Sequence, residues 1–404
     1  MSVVVTAAPA DAQPTITVSA TGVVNSISAA LKSAVPHSRI VVRSGVYREP
    51  TIIVDKPVEI VGEGWPILDG ESARQIMTVT ADSVTLRGLH FARVGTSFTE
   101  DWAAVRFQGV RGCNVTGNRF DDAFFGIYLA KVNDCTIRDN VLVSGRKREM
   151  ISGNGIHLWA SNGISIVNNR ITGHRDGIYF EFVHNSTITG NVSEGNLRYG
   201  LHFMYSDDCR YLNNTFRQNG SGVAVMFTHR VEMTGNRFEG NWGGAAYGLL
   251  LKEISDSKLE RNIFYRNTTG LVADGANRIK AIGNQFIDNG WAVKLEASTQ
   301  DGRFSGNDFI GNTFDVSANN SETTTTFANN YWDNYRGYDL NHDGLGDVPY
   351  RPVKLFSVVV AQNAPAIILL RSTFVRLLDS AESIVPALTP EALADNSPLM
   401  RRAP

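Results

Sequence analysis

Short apolar runs that alternate with polar residues recur along most of the chain. Each run begins with a glycine and reads Gly-apolar-x-apolar, as in Gly-Leu-His-Phe at residues 200–203. The runs begin at Gly126, Gly155, Gly177, Gly200, Gly222, Gly248 and Gly270, in steps of 29, 22, 23, 22, 26 and 22 residues. Alternation with a period of two predicts short β-strands with one buried face, and it argues against helices.

A second column of residues repeats in the same register. It consists of Asn118, Asn140, Asn169, Asn191, Asn214, Asn236, Asn262, Asn284, Asn307 and Asn330. A large apolar residue usually follows two positions later, with Ser193 as the exception. Coils of this length stack so that each strand bonds to the coils on either side, roughly 4.8 Å away. We therefore predict a right-handed parallel β-helix over residues 15–350, with a ladder of stacked asparagines and stacked phenylalanines inside it.

The two ends of the chain do not follow the repeat. Residues 1–14 resemble the end of a secretory signal, with an Ala-x-Ala site at 10–12, but they lack a basic start and also suit a disordered leader. Residues 26–34 predict a short helix that caps the open end of the β-helix. Residues 351–404 form a separate segment, in which apolar positions from 367 to 385 have helical spacing and Thr389 begins a second short helix.

Composition narrows the class of protein. A formal charge of −2 and 19% charged residues are ordinary for a soluble globular chain, and no basic excess points to nucleic acid. Three cysteines are too few for a disulfide framework. Cys113, Cys135 and Cys209 all occupy an inward position, so we predict buried thiols, with a disulfide between the first two as the alternative.

One strip of outward positions carries metal-binding side chains. If the apolar residues of each strand face inwards, neighbouring coils expose His157, Glu181, His202, Met204 and Met226 together. Imidazole and thioether donors in one place suit copper, above all Cu(I). The alternative interpretation is that these side chains pack against a loop or a partner.

A turn further along each coil offers a second arrangement. His184, Asp207 and His229 each lie seven residues after the glycine of their coil, so they should stack. Such a column could bind a metal ion, although a hydrogen-bonded polar turn has the same pattern.

The segment 339–347 resembles the first part of a calcium loop. Its candidate ligands are Asp339, Asn341, Asp343 and Asp347, but Tyr350 stands where the bidentate acid is expected. A loop ordered by calcium and a plain Asp/Asn/Gly turn are both consistent with this sequence.

An enzyme of carbohydrates is the main alternative function for a parallel β-helix. Glycoside hydrolysis requires two carboxylates across a groove. The outward strip has Glu181 alone in its middle, and the sequence contains no convincing catalytic set. We therefore predict a protein that is not an enzyme.

Two segments outside the generic coils carry a resemblance to a known family. Residues 43–64, RSGVYREPTIIVDKPVEIVGEG, and the tail with LLRSTFVRLLD at 369–379 and LTPEALAD at 388–395 resemble NosD, a maturation factor for nitrous oxide reductase. The resemblance implies a periplasmic, non-enzymatic β-helix that binds copper transiently for assembly of the copper centres of that reductase. The implied partners are an ABC transporter, a lipoprotein copper chaperone and the reductase, so any membrane association is through partners.

The resemblance also gives the tail a role. Its apolar stripe would contact the membrane subunit of the transporter. The candidate docking residues are Phe356, Ile367, Leu370, Phe374, Leu378 and Ile384.

Overall fold

The computed structural model describes residues 13–97, 99–296, 298–318, 324–370, 372–384 and 393–402, and it is a parallel β-solenoid of about fourteen coils. The parallel β-helix expected from the repeat is confirmed. Three parallel sheets run the length of the solenoid, because each coil contributes one strand to each sheet. Most of the leader, including the Ala-x-Ala site at 10–12, lies outside the described residues.

The strands are short and each pairs with the equivalent strands of the coils on either side. Within the described residues, the first sheet contains Thr15–Val18, Arg39–Arg43, Glu59–Glu63, Thr85–Arg87, Asn114–Thr116, Thr136–Arg138, Ser165–Val167, Thr187–Thr189, Arg210–Leu212, Glu232–Thr234, Lys258–Glu260, Lys280–Ile282, Arg303–Ser305 and Thr326–Ala328. The second contains Val46–Tyr47, Ile67–Asp69, His90–Ala92, Arg119–Asp121, Val141–Val143, Arg170–Thr172, Val192–Glu194, Thr215–Arg217, Arg237–Glu239, Ile263–Tyr265, Gln285–Ile287, Asp308–Ile310 and Tyr331–Trp332. The third contains Ile52–Val54, Met77–Val79, Ala103–Gln108, Phe125–Ala130, Ile156–Trp159, Asp176–Glu181, Tyr199–Met204, Ser221–His229, Tyr247–Ser255, Thr269–Asp274, Trp291–Leu295 and Phe314–Ala318.

The core runs along the axis of the solenoid. The apolar residues of each Gly-apolar-x-apolar run face inwards, and Leu201 and Phe203 are fully buried beside their register partners Val223 and Val225. A column of aromatic rings stacks in the core with centroids 4.0–5.7 Å apart. Its members are Phe216, Phe238, Phe264, Phe286, Phe309 and Trp332. The stacked aromatic interior predicted from the repeat is therefore present.

The asparagine ladder is confirmed and ends on an acid. Each side-chain amide from Asn118 to Asn307 donates to the side-chain oxygen of the next coil at 2.9–3.1 Å. At the last coil, Asn330 donates instead to the carboxylate of Asp395 at 3.0 Å. The chain thus returns from the tail to complete the ladder, which satisfies amide groups that would otherwise be buried without a partner.

A second ladder was missed by the sequence analysis. It consists of Asn196, Asn219, Asn241, Asn267, Asn289 and Asn312, each bonded to the next coil. Every member lies five residues after a member of the first ladder. That fixed offset is visible in the sequence and would have predicted it.

The favoured prediction for two of the cysteines is wrong. Cys113 and Cys135 form a disulfide between adjacent coils, because stacking brings their Cα atoms to 4.6 Å. Cys209 is a free, buried thiol, as predicted.

Helix α1, Ile27–Ser33, covers the first end of the solenoid as predicted. The Ser26 hydroxyl accepts a hydrogen bond from the N–H of Ala29, and the Glu49 carboxylate accepts the N–H groups of Ile27 and Ser28. These bonds satisfy donors at the start of the helix, while its apolar face packs onto the core.

The helical stretch predicted from the apolar spacing at 367–385 is confirmed in part, because it is divided into two elements. Two α-helices occupy the described part of the tail, α2 at Leu355–Gln362 and α3 at Thr373–Ile384, and the 3₁₀ helix Ala364–Leu369 lies between them. A further short 3₁₀ helix, Glu149–Ile151, lies in an insertion loop. The start of the second predicted tail helix, at 389–392, lies outside the described residues.

Candidate functional site

Two files of side chains run along the outer surface of the third sheet. We call Tyr128, His157, Tyr179 and His202 the histidine file, because their residues are register partners in successive coils. We call Trp159, Glu181, Met204 and Met226 the thioether file, which is aligned in the same way two residues further along each strand. The five copper candidates predicted from the sequence therefore divide between two neighbouring files.

His157 is enclosed by rings. It stacks between Tyr128 and Tyr179, with centroids 4.5 and 4.6 Å away, and Phe125 meets it edge-on. The amide of Asn154 lies 3.0 Å from its Nδ1. Burial, reinforced by the charge of Arg175, lowers the pKa of His157 to about 3, so the ring is neutral at ordinary pH.

His202 belongs to a buried charged cluster. Its side chain is only 7% exposed, and Nδ1 lies 3.3 Å from Arg198 Nη2 and 3.6 Å from Asp176 Oδ2. Arg198 also binds both carboxylate oxygens of Asp176. Burial alone would raise the pKa of Asp176, but the hydrogen bonds and charges of Arg198 and His202 outweigh it and hold that pKa below its ordinary value.

The two longest steps of the repeat, 29 and 26 residues, contain insertion loops at 143–154 and 240–248, and both loops lie beside the histidine file. Asn154, at the end of the loop 143–154, contacts His157, and Tyr247, at the end of the loop 240–248, places its hydroxyl 3.4 Å from that of Tyr199. The Tyr199 ring in turn packs on His202, with centroids 4.8 Å apart. The insertions thus line the same face of the solenoid, as expected for a binding face, and they help to enclose the histidine file.

The thioether file is more open. Met204 and Met226 are partly buried register partners in adjacent coils, and Glu181 precedes them. The hydroxyl of Tyr179 lies 3.8 Å from Met204 Sδ and 3.4 Å from a carboxylate oxygen of Glu181. Burial and the Glu181 charge raise the pKa of Tyr179 to about 12, so its hydroxyl stays protonated and acts as a donor.

An exposed aromatic stack adjoins the thioether file, and the sequence analysis missed it. Phe182, Tyr205 and Phe227 stack at 5.2 and 5.1 Å, and they directly follow Glu181, Met204 and Met226 in the chain. Their repeat at steps of 23 and 22 residues was available in the sequence as a signal.

The column His184, Asp207 and His229 assembles in one turn. The N–H of Asp207 donates to His184 Nδ1, and the Asp207 carboxylate accepts the N–H of His229 at 2.8 Å. The ring of the second histidine is also engaged, since His229 Nδ1 lies 2.6 Å from Ser255 Oγ. These contacts are those of a hydrogen-bonded polar turn.

The candidate calcium loop also uses its carboxylates internally. Asp339 accepts the N–H groups of Asp343 and Gly344, and Asp347 accepts the N–H of Leu340. Asn341 donates to the Asp343 carboxylate. The loop is thus held by its own backbone donors.

The tail residues predicted to dock a partner divide into two sets. Phe356 is buried against Trp291 and Phe314 on the last coils, and Leu370 and Leu378 pack partly onto the same cluster. Ile367 and Phe374 are exposed, whereas the side chain of Ile384 lies outside the described residues. Four more apolar residues of the tail are exposed, and the sequence analysis did not single them out. They are Val359, Ile368, Leu369 and Leu377.

Among the described residues, no three side chains of histidine, cysteine, aspartate or glutamate come together as a metal-binding group. Within the same residues, no helix has both the length and the apolar character needed to cross a bilayer.

Comparison with known proteins identifies the family. The probable ABC transporter binding protein NosD of Pseudomonas aeruginosa PAO1 is 31% identical over 369 residues, which cover 86% of this chain and 85% of the relative. The chain belongs to the NosD family. Residues 143–340 match that family as periplasmic copper-binding protein (NosD). The NosD of Stutzerimonas stutzeri, with the same description, is 30% identical over 112 residues, or 27% of this chain and 26% of that one.

Solved structures show the same fold in proteins with different functions. The A-module of the mannuronan C-5 epimerase AlgE6 of Azotobacter vinelandii covers 73% of this chain and 84% of its own, with a TM-score of 0.54 at 17% identity. The surface adhesin PfbA of Streptococcus pneumoniae covers 76% and 88%, with a TM-score of 0.50 at 10% identity. An epimerase and an adhesin share this solenoid, so the fold alone does not decide the function of a NosD chain.

Proposed function

We propose that this protein is a non-enzymatic periplasmic factor that binds copper transiently and delivers it for assembly of the copper centres of nitrous oxide reductase. The single observation that carries the copper assignment is the alignment of Met204 and Met226 in adjacent coils on an accessible face. Adjacent coils are roughly 4.8 Å apart, a separation that two flexible thioether side chains can close around one ion. Membership of a family described as periplasmic copper-binding supports the same conclusion.

The chemistry of the thioether file favours Cu(I). Soft sulfur donors select Cu(I) over harder ions, and Glu181 supplies the one carboxylate of the file. His202 and His157 stand in the neighbouring file as further candidate donors, but their Nδ1 atoms already face Arg198 and Asn154. Two thioethers with few additional donors would hold the ion weakly enough for exchange with a partner.

Removal of both sulfur atoms tests the copper site. In Met204→Leu/Met226→Leu, shape is largely kept while the thioethers are lost. Cu(I) affinity, measured by competition with a chromophoric chelator, should fall by about 100-fold or more, because loss of a residue that merely supports a ligand already costs about 10- to 100-fold. Met150→Leu is the matched control, since Met150 is 87% exposed in the loop 143–154. Unchanged affinity in the double variant would refute the assignment, and attention would then move to the turn with His184 and His229.

The tail is proposed to dock the membrane subunit of an ABC transporter. Its exposed apolar residues form a surface that needs a partner, while Phe356, Leu370 and Leu378 fix the helices to the last coils. A movement of the transporter could thereby be transmitted through the tail helices to the solenoid. The relatives named as ABC transporter binding proteins support this proposal. A lipoprotein copper chaperone as donor and the reductase as acceptor complete the proposed route.

Point variants test docking better than truncation, because Asp395 in the tail completes the asparagine ladder. Ile367→Ser/Phe374→Ser should abolish co-purification with the transporter while leaving thermal stability unchanged. Trp242→Ser, which alters an exposed apolar residue on an insertion loop, is the control and should co-purify normally. Retention of the transporter by the double variant would sink the docking proposal.

A further inference from the structure

A cavity of about 600 Å³ opens on the outer surface of the third sheet, near the first end of the solenoid. The sheet forms its floor, and residues 99–102 form one wall. Its volume is within the usual range for a small-molecule site, roughly 300–1,000 Å³. Its lining includes Arg74, Thr78, Glu100, Asp101, Trp102 and Arg106.

The cavity is built from fixed side chains. Trp102 packs partly against the main core, and its indole N–H donates to Glu100 at 2.8 Å. The Arg106 guanidinium lies over the Tyr128 ring, 4.9 Å from the centroid, and the Tyr128 hydroxyl donates to Asp101 at 3.1 Å. These contacts hold a flat aromatic surface and several polar groups in place before any ligand arrives.

Charges of both signs surround the cavity and largely compensate one another. Arg74 forms an ion pair with Glu71, while Glu100 and Asp101 lie beside Arg106 in the lining. The lining itself thus carries two arginines and two acids. An anion would meet the carboxylates and a cation would meet the guanidinium groups, so a neutral ligand fits best.

Groups that donate and groups that accept hydrogen bonds line the cavity together. Arg74 and Arg106 carry donors, and the carboxylates of Glu100 and Asp101 are acceptors. The Gln75 amide donates to the Thr78 hydroxyl at 2.6 Å, which leaves that hydroxyl its own proton to donate. A ligand whose hydroxyl groups both donate and accept would suit this lining.

We propose that this cavity binds a neutral pyranose sugar. A pyranose has an apolar face that can lie against the Trp102 indole and a rim of hydroxyl groups that both donate and accept. It matches the balanced charge, the mixed donors and acceptors and the size of the cavity. The site is separate from the thioether file, so the inference does not depend on copper binding.

The test uses the full chain and three probes of equal size class: methyl β-D-glucopyranoside, D-glucuronate and N-acetylalanine amide. Saturation-transfer NMR and calorimetry should show saturable binding of the glucoside alone, in the millimolar range. Trp102→Ala and Arg106→Gln should each weaken it by about tenfold, equivalent to about 1.4 kcal/mol. Trp242→Ala is the matched tryptophan control and should bind normally.

Circular dichroism and thermal melting establish that each variant is folded before its affinity is compared. Absence of saturable glucoside binding by the unaltered protein overturns the proposal. Equal binding by both variants also overturns it, since the sugar would then lie elsewhere. Preference for glucuronate or for the amide overturns the assignment of a neutral sugar.

Discussion

The histidine file and the thioether file lie side by side on one sheet, yet they have different environments. In the first, His157 is stacked between two tyrosines and His202 is tied to Arg198 and Asp176. In the second, Met204 and Met226 are partly buried, as His157 is, and the polar contact there is the Tyr179 hydroxyl near Met204 Sδ. Both files face outwards from the core, so an outward position by itself does not make a side chain available to a ligand.

The difference follows from what the neighbouring elements supply. Rings and the two insertion loops cover the histidine file, and a covered imidazole loses solvent and gains fixed partners. The thioether file lies further along the strand, beyond the reach of Tyr199 and Tyr247. Soft donors with few fixed partners suit transient binding, whereas a buried charged group is held by its ion pair and is costly to leave unpaired.

The largest expected effect is on stability. Asp176→Ala removes the carboxylate that Arg198 and His202 share, and loss of one partner of a buried ion pair should lower the free energy of unfolding by about 3 kcal/mol. Asp274→Ala is the control, because its carboxylate pairs with Lys252 at 3.7 Å where both side chains are solvent-accessible, and it should cost less than about 1 kcal/mol. Thermal and denaturant unfolding measure the loss of free energy of unfolding in both variants. Equal losses would show that the histidine file is not a covered cluster.

The next effect separates the files by copper affinity. His202→Gln should change Cu(I) affinity by less than about threefold, because its Nδ1 faces Arg198 and Asp176 and is not open to an ion. The Met204→Leu/Met226→Leu variant serves as the positive comparison in the same chelator competition. A loss in His202→Gln as large as that in the double methionine variant would place the copper in the histidine file.

A further effect concerns acid. Folded His157 has a pKa of about 3, whereas an unfolded histidine titrates near 6.5. The unfolded chain therefore takes up the proton first, so the contribution of neutral His157 is complete above about pH 6.5 and is lost as the pH falls towards 3. His157→Phe, which keeps an aromatic ring, should reduce the fall in melting temperature between these values. Tyr179→Phe retains the histidine and should keep the full acid dependence; equal slopes in all three proteins would contradict a buried neutral His157.

Much of the fold could be predicted from period and spacing. The inward positions of Leu201 and Phe203, the first asparagine ladder and the capping helix all follow from regular repetition in the sequence. The second ladder and the aromatic stack at Phe182, Tyr205 and Phe227 obey equally regular offsets, so they were predictable but overlooked. In a repeat protein a contact between coils is a contact at a fixed sequence separation.

Other features are not settled by the period of the repeat. The 22-residue step places Cys113 beside Cys135, but that spacing alone does not distinguish two stacked thiols from a disulfide. Helix α2 required Trp291 and Phe314 on the solenoid as a surface for Phe356. The role of Asp395 could not be predicted either, because this residue of the tail binds Asn330, which lies 65 residues earlier in the chain.

The sequence alone determined which side chains point out of the solenoid and which coils they share, because strand alternation and coil length are local and periodic. Only the tertiary structure decided that His157 and His202 are engaged by neighbouring groups while Met204 and Met226 have few fixed partners. That outcome depends on Asn154 and Tyr247 in the insertions and on Asp176 in the coil next to that of His202. Accessibility and charge compensation are properties of the assembled surface, and no period in the sequence encodes them.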